Sequence, residues 1–100
     1  DKIYLDCNLS LRSTADLLQT NTKYLSQVIN QSFACNFQTF INRYRILEFQ
    51  QRMINGETKL LTFYGLAHEC GFSNRSTFYR AFKYFTSLTP KEFYAQSQAA

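Results

Sequence analysis

The sequence predicts an all-α domain in which a long linker helix joins two helix-turn-helix units. Three observations lead to this prediction. Apolar residues recur at helical spacing along most of the chain, turn-forming residues interrupt them at short intervals, and the stretch 37–54 is longer than its neighbours. Short helices in two pairs, on either side of one long helix, satisfy all three observations.

The unit at 62–86 carries the clearest pattern. In its first helix, apolar residues recur at the spacing i, i+3, i+4 and i+7, which forms one face of a helix. They are Phe63, Leu66, Ala67 and Cys70. Gly71 follows at once, and glycine tolerates the left-handed backbone that ends a helix. Ser73 or Asn74 can then cap a second helix. Its inward face has Phe78, Phe82 and Phe85, and its outer face has Arg75, Ser76, Tyr79, Arg80 and Lys83.

The unit at 10–33 follows the same plan. Ser10 is suited to cap a helix over 11–18, the run 19–21 interrupts the pattern, and a second helix covers 22–32. The side chains expected to point inward are Leu11, Ala15, Leu18, Leu25, Val28 and Ile29, with Tyr24 as a further candidate. The outer face of the second helix has Lys23, Ser26, Gln27, Asn30 and Gln31, which can hydrogen-bond along a DNA groove or simply face water.

Asn36 is placed to cap the long helix, which gives a linker helix over 36–55. Its expected apolar stripe consists of Phe37, Phe40, Ile41, Tyr44 and Leu47. Three arginines of this helix could contact phosphates or, alternatively, pair with Glu48 or face water: Arg43, Arg45 and Arg52.

A short final helix is predicted over 89–97. Its start combines a capping threonine, a proline at the first helical position, a glutamate three residues after the cap and a hydrophobic staple, at Leu88, Thr89, Pro90, Glu92 and Phe93. We therefore interpret Glu92 as a capping residue and not as a catalytic acid.

Length and composition indicate one small domain, which we expect to cover 1–100. Ten Phe and seven Tyr supply apolar area for a small core, and a net charge of +4 favours a polyanionic partner. No apolar run is long enough to span a membrane, and no signal peptide is recognisable. Because the chain begins at Asp1 without methionine, we expect it to be a fragment of a longer protein.

We expect neither a metal or other cofactor nor an enzyme activity. Cys7, Cys35 and Cys70 are an odd number without a C-x-x-C spacing, which is typical of a reducing compartment and not of a disulfide framework. His68 and Cys70 would supply only two metal ligands. His68, Glu69 and Cys70 are consecutive, and consecutive helical residues point apart, so they cannot form a nucleophile and its base.

The motifs of the second half resemble those of the AraC/XylS family of bacterial transcription regulators. The resemblance is carried by Leu66-Ala67, Gly71-Phe72-Ser73, Phe78, Phe82-Lys83 and Thr89-Pro90-Lys91-Glu92-Phe93. The first half is similar to the family's N-terminal motif at Tyr24-Leu25-Ser26 and Tyr44-Arg45-Ile46, and stretches 25–30 and 37–46 are similar to members from Bacteroidetes. The resemblance covers about 9–94. It implies an all-α, homeodomain-like fold whose two recognition helices enter the major groove.

The resemblance also implies sequence-specific binding to double-stranded DNA and regulation of transcription. Base contacts would come from Lys23, Ser26, Gln27 and Asn30 in the first unit and from Arg75, Ser76, Tyr79 and Arg80 in the second. Phosphate contacts would come from Arg43 and Lys83. The two recognition helices begin about fifty residues apart, so one chain could reach two successive major-groove faces, which recur about every 34 Å.

Further expectations follow from the family. RNA polymerase would be a partner, and a separate domain would bind the effector ligand and mediate dimerisation. This domain would be cytoplasmic, even in a full-length protein that is anchored in a membrane.

The chain departs from the family pattern at five positions. Gln19, Ala34 and Ser87 stand where glycine is common, so we expect wider bends there. Phe49 stands where alanine is common in the linker helix, so the packing around it must adjust. Tyr94 replaces a frequent arginine and removes one expected charge.

A second interpretation is a helical protein-interaction module without DNA binding. Tyr79 and Tyr84 on one helix would give it an apolar surface for a partner. The two polar helix faces and the basic charge favour DNA binding over this alternative.

Overall fold

A computed structural model of the chain describes residues 2–98, and this range contains six α-helices and no strand. The helices are α1 (Leu11–Leu17), α2 (Thr22–Phe33), α3 (Phe37–Ile54), α4 (Phe63–Glu69), α5 (Arg75–Thr86) and α6 (Pro90–Gln98). Short 3-10 helices lie at Ile3–Leu5 and Glu57–Lys59. The predicted all-α class is confirmed. Asp1, Ala99 and Ala100, which the predicted domain includes, lie outside the described residues.

The two halves of the molecule repeat one design. α1 and α4 each have 7 residues, and α2 and α5 each have 12. Asparagine caps both longer helices, as Asn21 for α2 and Asn74 for α5, and the two caps are 53 positions apart. Both helices end at a left-handed residue, Ala34 or Ser87. The duplication predicted from the sequence is therefore visible in helix lengths, caps and turns.

The predicted helix caps are observed. Ser10 forms a capping box at the start of α1, and Asn74, rather than Ser73, caps α5. At α6 the Thr89 N–H donates to Glu92 Oε1 at 2.8 Å, and the Glu92 N–H donates to Thr89 Oγ1 at 3.1 Å. Each cap satisfies backbone donors that a helix start leaves without an internal partner.

The larger of two apolar clusters holds the second unit together. Phe49 of α3 lies at its centre and is 0% exposed, with its ring centroid 4.8 Å from that of Phe78 and 5.6 Å from that of Phe82. A phenylalanine in place of the expected alanine therefore fills the core of the second unit. The smaller cluster consists of Ile29, Phe37 and Ile41 and lies in the first unit.

The apolar stripe of α3 differs from the prediction. Tyr44 is 38% and Leu47 is 51% exposed. The buried residues of the helix are Phe37, Ile41, Arg45, Ile46, Phe49 and Met53. Most of them recur at every fourth position, and because a helix has 3.6 residues per turn, this spacing drifts by about 40° per step. The buried side therefore rotates along α3 from the first cluster to the second, which a single stripe cannot describe.

Two residues of the first unit that were predicted to point inward are exposed. Leu18 is 58% and Tyr24 is 59% exposed. α1 ends one residue before Leu18, and Ala15 provides its buried contact, so Leu18 lies beyond the packed face. The other residues predicted to point inward are buried or half-buried: Leu11, Ala15, Leu25, Val28 and Ile29.

Three bends without glycine keep the left-handed backbone. The angle φ is 58° at Gln19, 56° at Ala34 and 64° at Ser87. The expected wider bends are therefore not observed, and each residue instead adopts the conformation that glycine favours. For residues with a Cβ this conformation costs about 1–2 kcal/mol.

Arg45 anchors the segment that precedes α1. It is 4% exposed, and its Nε donates to the Tyr4 carbonyl at 2.6 Å while its Nη2 donates to the Asp6 carbonyl at 2.9 Å. A Cβ added at Gly71 would lie 2.5 Å from the same Tyr4 oxygen. The N-terminal segment therefore packs closely against the turn of the second unit.

Candidate nucleic-acid interface

All ten predicted DNA-contact residues are exposed. They are Lys23, Ser26, Gln27 and Asn30 on α2, Arg43 on α3, and Arg75, Ser76, Tyr79, Arg80 and Lys83 on α5. On the opposite sides of α2 and α5, Ile29 of α2 and Phe78 and Phe82 of α5 are buried. Each helix is therefore held by its apolar side and presents its polar side to solvent.

The two polar faces have the same register. A shift of 53 positions pairs Lys23 with Ser76, Ser26 with Tyr79, Gln27 with Arg80 and Asn30 with Lys83. The same shift pairs Ile29 with Phe82, which are both buried. Residues at equivalent helical positions therefore face solvent in both units.

The chemistry of the two faces differs. The face of α2 has Gln27 and Asn30, and side-chain amides suit the N6 and N7 positions of adenine. The face of α5 has Arg75 and Arg80, and a guanidinium suits O6 and N7 of guanine or a phosphate. The two units therefore have the chemistry to recognise different bases.

Arg75, the first residue of α5, lies over an aromatic ring of α4. Its guanidinium carbon is 5.2 Å from the centroid of the Tyr64 ring. The Tyr64 hydroxyl donates to the Ser73 carbonyl at 3.2 Å. Sequence reasoning missed Tyr64, because the contact joins two different helices and no spacing within one helix indicates it.

Two of the three α3 arginines are engaged within the protein. Arg45 binds backbone carbonyls, as described above. Arg52 Nη2 donates to Glu57 Oε1 and Glu69 Oε1, both at 2.6 Å, and the first of these bonds holds the pKa of Glu57 below its ordinary value. The suggestion that Arg45 and Arg52 contact phosphates is therefore wrong. Glu48 pairs with neither of them and accepts from Lys2 Nζ at 3.0 Å.

Arg43 lies beside a groove between the ends of α2 and α5. Phe33 at the end of α2 and Tyr84 near the end of α5 line this groove together with Arg43. A neighbouring groove brings Gln38 and Asn42 of α3 next to Arg80. Polar residues from the first half of α3 therefore continue the exposed face of α5.

The one candidate nucleophile pointed out by the sequence is inaccessible. Cys70 is 0% exposed, and burial raises the pKa of its thiol to about 12. Between residues 2 and 98, no group of three or more His, Cys, Asp or Glu side chains is arranged to hold a metal ion. Within the same range, no helix combines the length and the apolar character needed to cross a membrane.

Comparison with known proteins identifies the class to which this fold and surface belong. A family profile described as a helix-turn-helix domain matches residues 14–96. The chain therefore belongs to the AraC-type helix-turn-helix family, a class of bacterial DNA-binding transcription regulators that are not enzymes.

Similar protein sequences occur in Staphylococcus aureus. Two proteins of Staphylococcus aureus, from strains MSSA476 and N315, are described as uncharacterised HTH-type transcriptional regulators and are 31% identical over 86 residues. The match covers 86% of this chain, which spans about 11% of the length of these relatives.

Solved structures share the fold. The C-terminal domain of the two-component response regulator YesN from Fusobacterium nucleatum is 25% identical with a TM-score of 0.79, and the match covers 93% of this chain and 87% of that chain. The C-terminal domain of AraT, a response regulator from Geobacillus stearothermophilus, is 23% identical with a TM-score of 0.82, covering 95% and 76%. The likeness to AraT shows a common fold.

Proposed function

We propose that this domain binds double-stranded DNA sequence-specifically and thereby regulates transcription. α2 and α5 act as recognition helices, each in a major groove. Neutralised phosphates supply affinity, and hydrogen bonds to base edges supply specificity. This function places the domain in the cytoplasm, with the bacterial chromosome.

The repeated polar face is the observation that carries the proposal. A helix face that only contacts water can place its polar residues at any position. Here two helices of 12 residues, both capped by asparagine, expose polar side chains at equivalent positions. Both helices follow a 7-residue helix after a tight turn, which is the arrangement that directs a recognition helix outward. Membership in a family of DNA-binding regulators supports the same function.

The size of the molecule suits two contacts on one duplex. Its longest dimension is 45 Å, and major-groove faces recur about every 34 Å along B-DNA. We propose that the two units occupy half-elements one helical turn apart. α3, which packs against the cores of both units, sets their separation.

The residue roles follow from side-chain chemistry. Arg75 and Arg80 bind guanine bidentately, and each contributes about 1–3 kcal/mol of discrimination. The other base-contacting residues are Ser76 and Tyr79 on α5 and Lys23, Ser26, Gln27 and Asn30 on α2. Arg43 and Lys83 contact phosphates. Replacement of either residue by alanine should reduce the slope of log K against the logarithm of the salt concentration by about one.

The test is a binding titration by fluorescence anisotropy with duplexes selected from a randomised pool. We expect binding that weakens linearly with the logarithm of the salt concentration. Arg80→Ala should weaken binding to the selected duplex more than binding to random duplexes, whereas Lys83→Ala should weaken both equally. Lys59→Ala, which removes an exposed cation from the connector between the units, is the matched control. Absence of duplex binding at low salt would contradict the proposal.

One observation, the exposure of two tyrosines on α5, supports the alternative of a protein-interaction module. Tyr84 is 73% and Tyr79 is 43% exposed, and aromatic residues are common in protein interfaces. This alternative predicts a partner that still binds an Arg75→Ala, Arg80→Ala double variant, together with a parent domain that binds no DNA. Binding of the parent to duplex DNA would exclude it as the sole function.

The remaining partners are proposals about the full-length protein. They are RNA polymerase contact, effector binding and dimerisation, and the matched 86 residues make up 11% of the relatives' length. We infer that further regions supply them, in line with the family expectation.

A further inference from the structure

The second unit has an aromatic support for its recognition helix that the first unit lacks. The guanidinium carbon of Arg75 is 5.2 Å from the centroid of the Tyr64 ring. In the repeat, the residue equivalent to Arg75 is Thr22, and the residue equivalent to Tyr64, the second residue of its helix, is Arg12. The pair is therefore a feature of the second unit and not of the repeated design.

We infer that Tyr64 is a positioning residue that holds the Arg75 guanidinium in place for a base edge, and that it sharpens base selection by the second unit. The inference rests on the proposed function. It assigns a role in specificity to a residue of α4, the helix that does not enter the groove in the proposed binding mode.

The geometry leaves the donors of Arg75 available. The Arg75 guanidinium carbon lies over the Tyr64 ring, 5.2 Å from its centroid, and a guanidinium held over a ring face keeps N–H donors on the side away from the ring. An arginine held in this way can still form the two parallel hydrogen bonds that guanine accepts.

Tyr64 is itself fixed at both ends. Its backbone belongs to α4, and its hydroxyl donates to the Ser73 carbonyl at 3.2 Å. Ser73 precedes Asn74, the cap from which α5 begins. Ring, turn and helix start are therefore connected, so the position of Arg75 is coupled to the packing of α4 and is less free than that of an unsupported side chain.

The size of the effect follows from the exposure of the pair. Arg75 is exposed and Tyr64 is half-buried, and a cation–π contact at such a site is worth about two- to fivefold in an equilibrium constant. Because the contact favours the Arg75 position that binding requires, removal of the ring should lower the fraction of protein in that position, and hence the affinity, by up to this factor. It should also broaden the preference at the base that Arg75 contacts.

The experiment is a double-mutant cycle on a duplex selected from a randomised pool by the parent domain. Dissociation constants are measured for the parent, Tyr64→Leu, Arg75→Ala and the double variant, on the selected duplex and on duplexes with each base substituted in turn. Tyr64→Phe keeps the ring and loses only the hydroxyl, so it should retain the base preference. His68→Ala removes the neighbouring ring of α4 and is the matched control.

The expected result is coupling between the two side chains. Tyr64→Leu should weaken binding about two- to fivefold when Arg75 is present and have no effect in the Arg75→Ala background. It should also broaden preference at the same base pair that Arg75→Ala affects. An equal loss in both backgrounds, or an unchanged base preference, would overturn the inference while leaving the proposed function intact.

A measurement on the free parent protein covers the case in which Tyr64→Leu fails to fold. The ring current of Tyr64 should shift the NMR signals of the Arg75 side-chain protons upfield from their random-coil positions. Random-coil shifts for these protons would overturn the inference. A folded parent that binds no duplex would instead contradict the proposed function, and the inference with it.

Discussion

At the scale of single residues, Arg45 shows how a charged side chain can act as structural support. Its two hydrogen bonds to backbone carbonyls, at 2.6 and 2.9 Å, tie the N-terminal segment to α3, and its guanidinium lies 5.9 Å from the Phe72 ring centroid. Burial lowers the pKa of Arg45. The side chain thereby connects three parts of the chain that are distant in sequence.

Replacement of Arg45 by methionine should lower the free energy of unfolding by about 3 kcal/mol, because two charge-assisted hydrogen bonds are lost and two carbonyls lose their partner. Urea denaturation monitored by circular dichroism measures this. Arg43→Met, two positions earlier on the exposed side of α3, should change stability by less than about 0.5 kcal/mol. Equal effects of the two substitutions would show that the Arg45 bonds contribute nothing specific.

Gly71→Ala should be more destabilising than Gly56→Ala. Both glycines have positive φ, +105° and +90°, so both substitutions pay for a left-handed backbone, about 1–2 kcal/mol. Only at Gly71 would the new Cβ meet other atoms, the Tyr4 oxygen at 2.5 Å and Arg45 Nε at 2.6 Å. The difference between the two unfolding free energies measures this steric conflict, and a difference near zero would contradict the close packing of the N-terminal segment on the turn.

Residues whose role depends on their neighbours in sequence could be predicted, and residues whose role depends on distant contacts could not. The exposure of Arg75 and Arg80 follows from helical spacing around Phe78 and Phe82. The burial of Arg45 depends on carbonyls about 40 positions earlier in the chain, which no local pattern indicates. The support of Arg75 by Tyr64 was missed for the same reason.

At the scale of elements, the left-handed ends of α2 and α5 retain strain that glycine would relieve. Ala34→Gly should raise the free energy of unfolding by about 0.5–1 kcal/mol, since relief of the backbone strain exceeds the added entropy of the unfolded chain. Ala95→Gly in the exposed interior of α6 should have the opposite sign and cost about 1 kcal/mol. Thermal or urea denaturation of both variants provides the test, and destabilisation by Ala34→Gly would contradict the left-handed assignment at 34.

The capping box of α6 should make stability depend on pH. Hydrogen bonds from the Thr89 backbone and side chain lower the pKa of Glu92 from its ordinary value of 4.5. Because the folded pKa is depressed, the carboxylate stabilises the fold fully above 4.5, and this contribution disappears as the pH falls through the folded pKa. Glu92→Gln keeps a hydrogen-bonding side chain at the box without this titration.

Urea midpoints of the parent and Glu92→Gln, measured from pH 7 down to pH 3, test this. The parent should lose more stability over that range than the variant. Arg52 lowers the pKa of Glu57 in the parent and in the variant alike. The difference in stability loss between the two proteins therefore reports on Glu92. Parallel pH profiles would show that the box is not formed in solution.

Element boundaries were more predictable than element packing. The caps at Asn36, Asn74 and Thr89 are local signals, and the helices begin where they predict. The prediction of the buried face of α3 was wrong in the second half of the helix, because a helix that packs against two cores does not bury the same side along its whole length. Its rotation from Ile41 to Phe49 depends on where the second unit lies in space.

At the scale of the whole molecule, α3 joins two cores. The larger is rich in aromatic rings that pack tilted or edge-on, and the smaller is aliphatic and aromatic. In the proposed binding mode, α3 fixes the distance between α2 and α5 and so determines whether both helices can bind one duplex together. The sequence predicts two such helices from repeated spacing, but their relative placement follows only from the rotation of the buried face along α3.

The most direct test of two-unit DNA recognition is a map of base preference along the selected duplex for three proteins: the parent, Gln27→Ala and Arg80→Ala. The two substitutions occupy equivalent positions of α2 and α5, 53 residues apart. We predict two specific elements separated by about one helical turn, with Gln27→Ala relaxing one and Arg80→Ala the other. A single element, relaxed by Arg80→Ala and unaffected by Gln27→Ala, would contradict DNA recognition by both units.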